Sequence, residues 1–154
     1  MHKDKQTRFC TIGYENVGAQ DFIAALKAAK VRTLIDVREV ANSRRAGFSK
    51  KSLAASLSAA GIGYVHLKAL GTPKAGREAA RKGDTQTMHR IFEAKLAQPE
   101  SQLALREAAE MAKAGRACLM CLEHDWRECH RAIVADALKP FGLEPLHLSP
   151  QAAP

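Results

Sequence analysis

Aromatic residues are scarce in this chain of 154 residues, which has one Trp, two Tyr and five Phe. Its core must therefore be packed mainly by Ala, Leu, Ile and Val. No apolar stretch is long enough to span a bilayer. Met1-His2-Lys3-Asp4-Lys5-Gln6 has no apolar signal core, so a soluble cytoplasmic protein is expected, with its four cysteines as thiols. Internal repeats are absent, and no linker divides the chain, which argues for a single domain over 1–154 with flexible ends at 1–7 and 150–154. Acidic residues are the minority, 16 against 24 Lys and Arg, for a net charge of +8. That balance favours an acidic partner, a nucleotide or nucleic acid, over a basic one. No motif fixes a cofactor, and the oligomeric state is left open.

The hydrophobic pattern alternates between strand and helix. Phe9–Gly13, Thr33–Arg38, Gly63–Leu67 and Ala117–Cys121 read as strands. Between them, Gln20–Lys30 carries Phe22, Ile23 and Leu26 at helical spacing. Ser49 opens a second helix, which Gly61 stops. Ala69–Gly83 is Gly- and Lys-rich and reads as a loop or lid with at most a short helix. Asp84 caps a helix with Met88, Ile91, Phe92 and Leu96 on one face, and Pro99 starts another that ends near Gly115. Arg127–Lys139 reads as one further helix. Glu144–Leu148, interrupted by Pro145, reads as an edge strand. Such alternation predicts a mainly parallel sheet with helices on both faces.

In that architecture ligands bind beyond the carboxyl ends of the strands. The densest chemistry in the chain falls there, in Cys121-Leu122-Glu123-His124-Asp125-Trp126-Arg127-Glu128-Cys129-His130-Arg131. Cys121 ends a buried strand and is the candidate nucleophile or redox centre. Glu123 and His130 are its candidate acid–base partners. Cys129 and His130, read as helical, point toward the sheet, with Cys129 as a packing residue. Arg38, Ser43, Arg44 and Arg45 form a candidate anion site, because the guanidinium fork suits phosphate. Arg131 would orient Glu123 or the ligand, and Arg38 has Glu123 as an alternative partner. Tyr14, Phe48 and Trp126 could stack on a base or equally form the hydrophobic lips of a pocket.

Several familiar chemistries fit less well. Cys121 and Arg127 have the Cys-x5-Arg spacing of phosphate loops, and Asp36-Val37-Arg38-Glu39 is similar to a rhodanese strand. The loop between Cys121 and Arg127 contains two carboxylates and no glycine, which disfavours cradling a phosphate dianion. Zinc accepts Cys and His ligands, but neighbours on a helix project about 100° apart, so Cys129 and His130 are not expected to share an ion, and no metal is assigned. A Cys121–Cys129 disulfide would be transient in a reducing compartment.

The ordered set Thr11-Ile12-Gly13-Tyr14, Asp36-Val37-Arg38, Ser43-Arg44-Arg45, Phe48, Tyr64-Val65-His66-Leu67, Leu70-Gly71, Cys121-Leu122-Glu123 and Cys129-His130-Arg131 resembles the domain-of-unknown-function 488 family. The resemblance covers nearly the whole chain. It implies a compact Rossmann-like three-layer α/β domain and no settled reaction. Tyr14 stands where the family commonly has His, and Asp125 meets Trp126 where it often has an intervening Pro. The expected function is an enzyme-like domain acting on a phosphate-bearing ligand. Two other classes remain open: a non-catalytic nucleotide or nucleic-acid binding module, and a thiol-based redox or sulfur-transfer protein.

Overall fold

The computed structural model describes residues 7–150. The expected flexible ends lie outside that range except for Thr7, which opens the first strand, and Pro150, which is buried. Five strands, β1 (Thr7–Gly13), β2 (Thr33–Asp36), β3 (Gly63–His66), β4 (Ala117–Cys121) and β5 (Leu143–His147), form one sheet. Their order is β3-β2-β4-β1-β5, and every pairing is parallel. Pro145 lies on the edge strand β5, where a missing ladder donor is tolerated.

Among the described residues six α-helices accompany the sheet: α1 (Ala19–Ala28), α2 (Lys50–Ala59), α3 (Lys74–Arg81), α4 (Thr85–Leu96), α5 (Pro99–Lys113) and α6 (Arg131–Leu138). Strand periodicity assigns the core to two layers. Cys118 and Met120 of β4 pack with Phe22 and Leu26 of α1 and Leu53 and Leu57 of α2. Ala117, Leu119 and Cys121 face the other way, against Phe92 of α4, Ala108 of α5 and Val134 of α6. All five residues of β4 are buried, as a central strand covered on both faces requires. The chain is therefore a three-layer α/β domain of the expected class.

The connections place a crevice. The chain leaves β1 and β2 through α1 and α2 on one face. It leaves β4 through α6 on the opposite face. Since β4 lies between β2 and β1, the loops diverge on both sides of its carboxyl end. Gly13 is in register with Cys121, and Asp36 with Met120, so these three strand ends share one rim.

Two segments differ from the sequence expectation. Residues 69–83 are largely ordered: a 3-10 turn at Lys68–Leu70 is followed by α3. Ser101 Oγ donates to the Ala69 carbonyl at 2.7 Å, and Arg77 pairs with Glu39 at 2.7 Å. The short helix allowed for this segment is thus present, and residues of the segment form a wall of the crevice. The expected helix 127–139 is also broken. The Asp125 carboxylate accepts the Arg127 amide at 2.9 Å and closes a 3-10 turn at Trp126–Glu128. Cys129 is then extended, with φ −107° and ψ 146°, and α6 starts only at Arg131.

Candidate functional site

That break decides the site. Because Cys129 is not helical, its side chain turns back toward the end of β4, and its sulfur pairs with that of Cys121 as a disulfide. Both residues are essentially buried. The sequence allows this disulfide only as a transient pair, and otherwise reads Cys129 as a packing residue whose helical direction diverges from that of His130. The extended backbone at Cys129 removes that divergence. The sulfurs of Cys121 and Cys129 and a ring nitrogen of His130 all lie within 4.8 Å of one another.

His130 is held in place by three neighbours. Its Nε2 lies 2.7 Å from the Val37 carbonyl, and a carbonyl can only accept, so Nε2 carries the proton. Nδ1 then presents its lone pair, 3.8 Å from Cys129 Sγ. The ring packs edge-on against Phe92 at 4.8 Å. Burial pushes His130 down to about 4, with the nearby Arg131 guanidinium acting in the same direction, so the imidazole is neutral.

Arg131 is fully buried. It donates to Thr11 Oγ1 at 3.2 Å, to the Glu123 carbonyl at 2.5 Å and to the His124 carbonyl at 3.2 Å. Its Nη1 also lies 3.5 Å from Cys121 Sγ. Desolvation lowers it to about 10. Among the described residues no carboxylate forms an ion pair with it, although a buried guanidinium ordinarily has one. It thus holds Glu123 through its backbone carbonyl. Glu123 points its Oε2 to within 3.8 Å of Cys121 Sγ, and burial raises its carboxyl above the usual range.

Gly13 permits this closeness. A Cβ there would meet the Glu123 carbonyl oxygen at 1.9 Å and Arg131 Nη1 at 2.7 Å. Tyr14 and Glu15 continue the strand pairing by donating their amides to the Cys121 and Leu122 carbonyls at 3.2 and 2.8 Å.

A cavity of about 530 Å³ opens over the rim. Tyr14, Arg38, Cys121, Glu123 and His130 line it, so five expected site residues converge on it. Arg77 and Arg81 of α3, with Glu15, Glu39 and Glu128, complete its charged lining. Arg77 and Arg81 lie one turn apart on α3, the short helix that the Gly- and Lys-rich composition of 69–83 leaves only as an option in the sequence.

The expected arginine cluster is not assembled. Arg38 is committed to Asp36 through three contacts of 2.7–3.1 Å and donates to the Phe48 carbonyl at 2.7 Å. Asp36, fully buried, also accepts Tyr64 Oη at 2.6 Å. Burial opposes the charge on Arg38, but the Asp36 carboxylate outweighs it and holds the guanidinium firmly protonated. Arg38 therefore pairs with Asp36 and not with Glu123. Arg45 donates to the Val17 carbonyl at 2.7 Å, in a separate surface hollow. Ser43 Oγ accepts the Arg45 amide at 3.1 Å and so stabilises its own turn. Arg44 is exposed and does not line the cavity. Trp126 stacks on His147 at 4.0 Å, and Tyr14 on Phe48 at 4.6 Å, so both rings have partners within the chain.

The fold and site together define a parallel α/β domain with a paired-cysteine centre at the carboxyl end of its central strand. The family model described as domain of unknown function DUF488 matches residues 18–138, most of the chain, and the protein belongs to that family. No curated protein and no solved structure matches the chain. No helix among the described residues is long and apolar enough to cross a membrane.

Proposed function

We propose that this is a thiol–disulfide redox protein in which Cys121 and Cys129 cycle between dithiol and disulfide beside a cavity for a small polar ligand. The observation that carries this reading is the pairing of the two sulfurs, with Cys121 lining the cavity and the Arg131 guanidinium 3.5 Å from Cys121 Sγ. Once the pair is reduced, that guanidinium favours the Cys121 thiolate, the form that reacts. Glu123 is placed to accept the thiol proton. The Cys121 thiolate attacks one sulfur of a low-molecular-weight disulfide, whose own S–S bond breaks and expels one thiolate. Cys129 then attacks Cys121 Sγ, expelling the second thiolate and closing the pair. Two electrons pass to the substrate, and the two thiol protons end on the released thiols. Mixed charges on the cavity wall suit a ligand that carries both signs.

The test is to mix reduced protein with a low-molecular-weight disulfide and map its thiols by mass spectrometry. Loss of two hydrogens confined to the peptide bearing Cys121 and Cys129, reversed by dithiothreitol, is expected. A persistent adduct on Cys10, or no oxidation of the pair, would sink the reading.

A phosphate-bearing ligand such as a nucleotide is the second reading, supported by Arg77 and Arg81 on the cavity wall. Glu15, Glu123 and Glu128 weigh against it through like-charge repulsion. A nucleotide that raises Tm in the parent protein but not in Arg81→Ala would favour it.

A further inference from the structure

We propose that the reduced protein binds one zinc-class divalent cation through Cys121 Sγ, Cys129 Sγ and His130 Nδ1, with a fourth position open to the cavity. The inference goes beyond the redox reading and does not depend on it, because it needs the two thiols but no oxidation.

Several observations converge on this site. The three donor atoms lie within 4.8 Å of one another, and Cys129 Sγ is 3.8 Å from His130 Nδ1. Donors about 2.3 Å (sulfur) and about 2.0 Å (nitrogen) from a tetrahedral zinc are separated by roughly 3.5–3.8 Å. The Cα atoms of Cys121 and Cys129 are 7.3 Å apart. That exceeds the roughly 4.4–6.8 Å usual for a directly bonded pair, and an ion between the sulfurs calls for such extra width.

The imidazole is already set up as a ligand. Its Nε2–H is engaged by the Val37 carbonyl at 2.7 Å, which fixes the tautomer and aims the Nδ1 lone pair at the sulfurs. Ligating histidines characteristically have such a partner on the second nitrogen. Arg131 supplies the corresponding hydrogen bond to sulfur, from Nη1 to Cys121 Sγ at 3.5 Å.

Charge and access also fit. Two thiolates and a neutral imidazole cancel a dication, so the buried centre is neutral. Two sulfurs and one nitrogen select zinc over magnesium or calcium, which prefer oxygen. Cys121 and His130 both line the cavity, so a water can complete the tetrahedron from that side, with Glu123 beside it. Three protein ligands and one exchangeable position are the arrangement of reactive rather than structural zinc. Disulfide formation would remove two of the three ligands, so oxidation and metal occupancy exclude each other.

The experiment uses the full chain, reduced, stripped with a chelator and titrated anaerobically with Co²⁺ as the probe. One equivalent should produce a near-ultraviolet thiolate-to-cobalt charge-transfer band and visible bands of tetrahedral intensity, both abolished by one equivalent of Zn²⁺. Cys10→Ala should retain the spectrum. Cys129→Ser should lose much of the charge-transfer band, and His130→Ala should weaken binding by about tenfold or more. A cobalt spectrum without thiolate charge transfer in the parent protein overturns the proposal, whether or not the variants fold. So does a spectrum that disappears in Cys10→Ala and survives in Cys129→Ser. Because no oxidant is present, a negative result here leaves the disulfide mapping above to be judged separately.

Discussion

Replacing Gly13 by Ala tests the close approach on which the site depends. The added methyl would lie 1.9 Å from the Glu123 carbonyl oxygen and 2.6 Å from its carbon, both backbone atoms. Ordinary contact needs more than 3 Å, so the 121–124 segment must retreat by over an ångström. Retreat loosens the bonds from the Tyr14 and Glu15 amides to the Cys121 and Leu122 carbonyls, at 3.2 and 2.8 Å. It also loosens the Arg131 bond to the Glu123 carbonyl. Each neutral bond contributes about 1 kcal/mol, and a buried guanidinium that loses an acceptor costs about 1–3 kcal/mol more. The expected destabilisation is therefore about 3–5 kcal/mol, read as a lower urea midpoint at unchanged slope. Gly18→Ala is the control: a Cβ there meets nothing within 4 Å, and its φ of −74° suits any residue. It should change stability by less than about 0.5 kcal/mol. If Gly13→Ala costs less than about 1 kcal/mol, the strand-end contact does not hold the Cys121–Glu123 segment and the account of the site's geometry is wrong.

Asp36→Asn removes one partner of a buried pair and should cost about 3–5 kcal/mol in denaturant unfolding, because Arg38 is left charged and underpaired; a loss under about 1 kcal/mol would show that Arg38 finds another partner. Arg44→Ala should leave stability within about 0.5 kcal/mol of the parent and leave ligand binding in the cavity unchanged, since Arg44 is exposed and outside it. Cys118 should resist iodoacetamide in the native state up to mildly alkaline pH and react only on unfolding, because complete burial raises its thiol well above the ordinary value. Native-state labelling of Cys118 at a rate like that of a free thiol would contradict this.

Much of the architecture was legible from local pattern. The strand at Ala117–Cys121, the cap at Asp84 and the start at Pro99 each rest on residues whose preference agrees with the fold. Asp84 accepts the Thr87 amide at 3.1 Å, as a capping residue should. The edge position of β5 followed from Pro145. The convergence of Tyr14, Arg38, Cys121, Glu123 and His130 on one cavity followed from a parallel sheet, which delivers successive strand ends to one rim.

Other parts could not be read from spacing. The break before α6 arises where Asp125 captures the Arg127 amide, and a continuous helical pattern from 127 to 139 conceals it. The pairing of Cys129 with Cys121 follows from that break. Whether an arginine is available to a ligand depends on what else it can reach. Asp36, the Phe48 carbonyl and the Val17 carbonyl satisfy Arg38 and Arg45 inside the fold, and only the packing of distant segments brings those acceptors close.

The sequence by itself determined the alternation of strands and helices, because periodicity and capping are local, and it determined which segment concentrates the reactive side chains. Tertiary structure alone decided which of those side chains meet. The strand order that places β4 between β1 and β2, the close approach at Gly13 and the extended turn at Cys129 are long-range outcomes. They turn a run of reactive residues into two sulfurs, an imidazole and a guanidinium at one point.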